Sequence, residues 1–379
     1  MKIALIRRRY VESGGAERYV AQLVTALSGA GHAVHLFANR WAAVPAGVQV
    51  HRVPVPPGPA FLGILGFAWA AHRMTRRESF DLVLSFDRTI RPDVYRAGDG
   101  CHQAWLDRRQ AVEGGVLRCL DRLNPLHRSL IGLEGHLFGG GSRRIIVNSR
   151  MVQEEILRYY GTVPALVRVV YTGVDLARFH PDRSGETRAA LRGRMGLGGE
   201  EPVVLFAGSG FERKGLAFLL RAARRIEAGR GLKIWVLGKG NADRYRGMAK
   251  RLGILDWVHF AGVVTDPEDW MRAADLFVLP TIYDPFSNAC LEAMASGLPV
   301  ITTGGNGVAE IMQQWRTGAV VGDPRDVTRL AECMQEFLEP AGREERAAAA
   351  RECAQAFSAE KHTEQLLAAC EEVLREAGA

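Results

Sequence analysis

Short apolar runs that end in a glycine or a polar loop recur along the whole 379-residue chain, and they limit its fold more tightly than any other feature. Residues 3–6, 33–38, 81–86, 94–97, 145–149, 167–171, 203–207, 234–238, 258–264 and 276–280 have the length and apolar character of buried strands. Helical patterns stand between them. Val20, Leu23, Val24 and Leu27 repeat at 3.6 spacing after Gly14-Gly15, and Gly29 to Gly31 stop that helix. Strand and helix in alternation predict an α/β fold with parallel sheets, whose functional loops leave the C-terminal ends of the strands. A chain of this length holds two such domains, each with its own core.

Composition narrows the partners. A net charge of +7 points to something anionic, with nucleotide, nucleic acid and acidic lipid as the classes that qualify. No nucleic-acid module is visible, so nucleic acid is set aside. The six cysteines, at 101, 119, 290, 333, 353 and 370, form no Cys-x-x-Cys pair, and the histidines have no metal-binding spacing. No metal site is expected, and no Asp-x-Asp stands at a strand end. The start shows no signal peptide, and the longest apolar run, 60–71, falls short of the roughly 20 residues that span a bilayer. The expectation is a cytoplasmic protein without a spanning segment.

Residues 282–302 read as loop, helix, stop and buried strand. Ser287 or Asn288 can cap the helix, Leu291, Met294 and Ala295 share its apolar face, and Gly297 supplies the left-handed stop before Pro299. Phe286, Ser287, Asn288 and Ala289 surround a helix start, where free N–H groups and the dipole favour an anion. Asp284 and Glu292 bracket it, placed to grip two ends of one polar ligand. This pattern of acid, seven residues, Glu-Ala and then Gly-Leu-Pro-Val resembles the signature of the retaining, nucleotide-sugar-dependent glycosyltransferases of family 4. Members usually carry Glu where this chain has Asp284, a shorter arm that bears on which donor sugar is held.

The resemblance extends along most of the chain. It implies the GT-B architecture, two Rossmann-like domains facing each other across a cleft. The phrase 172–181 looks like the end of the first domain, which gives 1–178 as the acceptor-side domain and 179–355 as the nucleotide-sugar domain, with 356–379 crossing back onto the first. Asp99, between Gly98 and Gly100 just past a strand, resembles the acid that faces the transferred sugar in the branch that glucosylates the heptose of lipopolysaccharide core. Gly14 and Gly15 let backbone approach a phosphate at a helix start, but they are not the Gly-x-Gly-x-x-Gly of a dehydrogenase.

Gly208, Ser209, Gly210, Arg213, Lys214 and Gly215 follow the strand 203–207. Arg213 and the Leu after Gly215 break a Walker A loop, so the reading is a glycine turn that offers two cations to a diphosphate. Lys214 is expected in this loop and outside the core. Arg178 is a further phosphate candidate. The resemblance places the nucleotide base against backbone near Gly262 and Val263, and Asp266 is expected to cap the helix that Pro267 opens. From 105 to 144, arginines 108, 109, 118, 122, 128, 143 and 144 interleave with leucines and aromatics, an arrangement suited to an anionic lipid interface.

Taken together, these residues point to a metal-independent hexosyltransferase. It would move a hexose, glucose first among candidates, from a UDP-sugar to a glycan or glycolipid acceptor such as lipopolysaccharide core, peripheral to the inner face of a bacterial inner membrane. Asp99, Lys214 and Asp284 are the expected catalytic residues, and no cofactor beyond the UDP-sugar substrate is expected. A nucleotide-sugar epimerase of the same fold and a non-catalytic module that binds anionic lipid or nucleic acid are the alternatives.

Overall fold

The structure is a computed structural model that describes residues 1–10, 15–41, 47–114, 121, 123–182, 184–198, 201–226 and 231–378. The chain forms two compact units, Met1–Tyr171 with Ala359–Ala379, and Thr172–Ser358. The sequence boundaries at 178 and 355 therefore sit a few residues inside the second unit. Hydrogen bonding explains the shift: Val174 N donates to Phe357 O, and Arg178 pairs with Glu268, so 172–178 is tied to unit 2 before Phe179 is reached.

Unit 1 is built on a seven-stranded parallel sheet. Its strands are β1 (Lys2–Ile6), β2 (Ala33–Ala38), β3 (Gln49–Arg52), β4 (Leu82–Ser85), β5 (Val94–Arg96), β6 (Arg144–Val147) and β7 (Val167–Val169), in the order β3-β2-β1-β4-β5-β6-β7. The helix α1 (Gly15–Gly29) buries Val20, Leu23, Val24 and Leu27 against β1 and β2, as its spacing predicts. The C-terminal helix Ala359–Gly378 adds Leu366, Ala369, Cys370 and Val373 to that core, so the end of the chain does return to the first unit.

Unit 2 repeats the plan with six parallel strands: β8 (Val203–Ala207), β9 (Lys233–Leu237), β10 (Val258–Gly262), β11 (Leu276–Leu279), β12 (Val300–Thr303) and β13 (Gly318–Val321), in the order β10-β9-β8-β11-β12-β13. Every residue of β8, β11 and β12 is buried, which is why they read as continuous apolar runs. Strands β3 and β13 escape a sequence reading because they lie at sheet edges and are mostly half-exposed. The order reverses direction beside β8, between β8 and β11. Open parallel sheets bind ligands at such switch points, outside the strand C-termini.

The apolar run 60–71 lies in a helix, α2 (Ala60–Thr75), and among the described residues no helix is long and apolar enough to cross a membrane.

Candidate active site

The two loops that the sequence singles out in unit 2 leave β8 and β11, on either side of the switch point. They are stitched together by backbone. Ile282 N and Thr281 Oγ1 each donate to Arg213 O at 2.9 Å, and Arg213 Nη1 donates to Tyr283 O at 2.9 Å. Gly215 makes the approach possible: its φ is +79°, and a Cβ there would stand 1.8 Å from Pro280 O. No other residue type fits that position without moving the end of β11.

This contact brings Lys214 onto Asp284. Lys214 Nζ donates to Asp284 Oδ2, and both side chains are buried. The expectation that Lys214 stays outside the core is therefore corrected; Gly208 packs against its methylenes, and the ammonium is drawn inward by the carboxylate. Arg213 remains half-exposed beside it. Ser209 is exposed, and its hydroxyl accepts from Lys239 N at 3.4 Å.

Asp284 is fixed through its backbone. Its N–H donates to Gly305 O at 2.8 Å, and its carbonyl accepts from Gly307 N at 2.9 Å. Phe286 turns inward, 5% exposed. The helix that follows, Asn288–Ala295, is capped by Ser287, whose hydroxyl accepts from Cys290 N. Asn288 is thus the first helical residue and not the cap. It lies half-exposed with Ala289 at the helix start, where free N–H groups remain for an anion. Gly297 takes the left-handed stop, with φ +79°.

One residue that the sequence reading missed holds this start in place. Buried Asn306 accepts from Ser287 N at 3.2 Å and donates to Thr302 Oγ1 at 2.9 Å. An Asn between glycines just past a strand was the available signal.

Glu292 is half-buried one turn into the helix. Arg178 Nη2 donates to Glu268 Oε2 at 2.8 Å and to Thr265 O at 2.9 Å. The Glu268 hydrogen bond, with Glu268 and Glu292 charge, raises the Arg178 pKa above its ordinary value. Gly262 has φ +73°, and exposed Val263 lines a groove of about 430 Å³ with Val264, Thr265, His259 and Trp270. Asp266 stands at the cap position before Pro267 but makes no side-chain cap bond.

In unit 1, Asp99 lies exposed past β5, with Arg88 Nη1 3.4 Å from its carboxylate. Arg88 is held in turn by Glu134, which the sequence reading did not single out. Fully buried Glu134 accepts from Arg88 Nε and Nη2 at 2.9 and 2.6 Å, from His102 N at 2.9 Å and from Tyr160 OH at 2.7 Å. Burial opposes the Arg88 charge, but Tyr95, Glu134 and Asp99 outweigh it and hold the guanidinium pKa well above its ordinary value. A lone carboxylate within an apolar helix pattern was the signal for Glu134. Gly15 opens α1, whereas Gly14 lies outside the described residues.

The 105–144 stretch is less available than its sequence suggests. Arg108 pairs with Glu155, Arg109 with Asp121 and Arg144 with Glu376, while Leu106, Leu133, Leu137 and Phe138 are buried. Arg118 and Arg122 lie outside the described residues. Unit 1 thus carries Asp99, and unit 2 carries the cluster of Arg213, Lys214, Asp284 and the 287–292 helix start.

Two family models match the chain: Glycosyltransferase Family 4 over residues 13–178, and Glycosyl transferases group 1 over 201–340. The chain is similar to the lipopolysaccharide glucosyltransferase WaaG of Escherichia coli K12, 24% identical over 343 residues, covering 89% of this chain and 90% of WaaG. It is 28% identical over 388 residues to glycogen synthase of Mycobacterium tuberculosis H37Rv, covering 93% and 90%. Among solved structures, the crystal structure of WaaG matches with a TM-score of 0.85 at 23% identity, over 97% of this chain and 99% of that one. Anabaena HepE in complex with UDP-glucose matches at 0.73 and 18% identity, over 98% and 100%. At these identities the structural matches establish the fold.

Proposed function

The chain belongs to the family 4, group 1 glycosyltransferases of GT-B fold, and on that premise we propose that it transfers a hexose from a UDP-sugar to a sugar hydroxyl of a lipid-linked glycan, with retention of configuration. The observation that carries this reading is the Lys214–Asp284 pair at the unit 2 switch point, between Arg213 and the Ser287-capped helix start.

Each part has a chemical role. The bond from the sugar anomeric carbon to the diphosphate breaks, leaving negative charge on the phosphate and positive character on the sugar. Arg213, Lys214 and the N–H groups at 288–289 stabilise the departing diphosphate. Asp284 accepts hydrogen bonds from hydroxyls of the transferred sugar and Glu292 from those of the ribose. Asp99 has the role that the resemblance implies for it, a polar contact to the transferred sugar. The acceptor oxygen forms its bond on the face that the phosphate leaves, and its proton passes to the departing phosphate oxygen. Structural neighbours that include a UDP-glucose complex support the donor class, and similarity to the lipopolysaccharide glucosyltransferase WaaG supports a lipopolysaccharide-type acceptor.

The test is release of UDP from UDP-glucose with and without a heptose-containing core acceptor, with the product's anomeric configuration read by NMR. Acceptor-dependent release and an α-linked product from the α-donor support the proposal. Conversion of the donor sugar without any acceptor would replace it with the epimerase reading.

A further inference from the structure

We infer that the outer face of α2 (Ala60–Thr75) is the surface that seats this protein on an anionic lipid bilayer. The inference deepens the reading above and rests on it, because it names the face through which a lipid-borne acceptor would be met.

Three large apolar side chains stand outward on this one helix: Leu62 at 42% exposure, Leu65 at 39% and Trp69 at 56%. Their spacing, i, i+3 and i+7, places them on one stripe. The opposite side is spent on the fold, with Gly63, Phe67, Ala70 and Ala71 buried. The helix is also clamped. A Cβ at Gly66 would stand 2.5 Å from the Pro56 ring, and one at Gly63 would stand 2.9 Å from Arg8 Nη2. The outward stripe therefore has no room to rotate into the core.

Charge identifies the occupant. Past the stripe, the Arg73 guanidinium lies 5.2 Å from the Trp69 ring centre, and Arg76 and Arg77 follow, all exposed. From residue 53 to residue 77 the chain contains no acidic residue. Apolar anchors, a tryptophan and then a cationic end are the composition of a helix lying in a membrane interface, where the tryptophan sits at headgroup level and arginines meet lipid phosphates. In the 105–144 stretch, by contrast, Arg108, Arg109 and Arg144 already have carboxylate partners within the fold.

The test is co-sedimentation of the full chain with vesicles of phosphatidylcholine alone or mixed with phosphatidylglycerol. Wild-type protein is expected to bind the anionic vesicles only. The triple variant L62S/L65S/W69S should bind about tenfold more weakly or worse, with its thermal melt and its UDP-glucose hydrolysis unchanged. W69S alone gives the same direction at smaller size and serves if the triple variant folds poorly. R73Q/R76Q/R77Q should erase the preference for anionic vesicles, whereas R128Q/R143Q should retain it. If wild-type protein binds no vesicle, the membrane reading fails and this inference with it. If wild-type and triple variant bind anionic vesicles equally, only the assignment to α2 is overturned. If the variants change self-association in sedimentation velocity and leave vesicle binding untouched, the face belongs to a second copy and the inference is overturned.

Discussion

Lys214 Nζ donates to Asp284 Oδ2 with both side chains buried, so the cation and the carboxylate at the centre of the candidate site neutralise each other inside the fold. The pair has a consequence for mutagenesis. K214A leaves Asp284 as a buried carboxylate without its counter-ion, which should cost about 3–5 kcal/mol of stability and about 100-fold or more in turnover. The double variant K214A/D284A should recover part of the stability and none of the turnover. Urea denaturation and UDP-release rates on the four proteins of the cycle separate the two roles; stability losses that simply add would show that the pair is not coupled.

Asp284 is one methylene shorter than the Glu that the family usually carries. D284E should change the ratio of kcat/KM between UDP-glucose and UDP-galactose by about tenfold, because the carboxylate meets different sugar hydroxyls. An unchanged ratio would remove Asp284 from donor selection.

Glu134 gathers Arg88, His102 N and Tyr160 OH around one buried carboxylate. E134A strands the Arg88 charge and should destabilise the protein by about 3–5 kcal/mol. R88M/E134L, which removes both charges, should be markedly more stable than E134A in urea denaturation. Its residual activity then reports how far Arg88 positions Asp99.

With Arg213 and Lys214 beside the place assigned to the diphosphate, turnover should persist in excess EDTA. Loss on chelation, restored by magnesium or manganese, would show that these cations do not suffice for the leaving group.

Burial pushes His102 and His362 down to about 3. In the unfolded chain each titrates near 6.5, so the unfolded state takes up protons at a pH where the native state does not. Their stabilising contribution is whole above about pH 6.5 and is lost as the pH falls toward 3. The melting temperature should drop through that window, and H362Q should flatten the slope. An equal slope in the variant would mean that carboxylates alone set the acid limb.

Local sequence determined the alternation of strand, loop and helix, because buried parallel strands must be apolar on both faces and glycine must stand where two backbones touch. That was enough to read two α/β units, the capped helix at 287–295 and the loops on which Lys214 and Asp284 sit. It could not show that these two side chains meet across 70 positions, or that Arg88 meets Glu134 across 46, since such pairs depend on strand order and no local pattern encodes it. Nor could it tell which cations are already spoken for. Arg108, Arg109 and Arg144 find carboxylates that only the folded chain brings near, so these three cations of the stretch that looks most basic are already paired. Periodicity gives the apolar positions of a helix but not how much of that surface its neighbours cover. That Leu62, Leu65 and Trp69 stay outside while Phe67 goes in was decided by tertiary packing, because one helix can bury only the face that the sheet has room to receive.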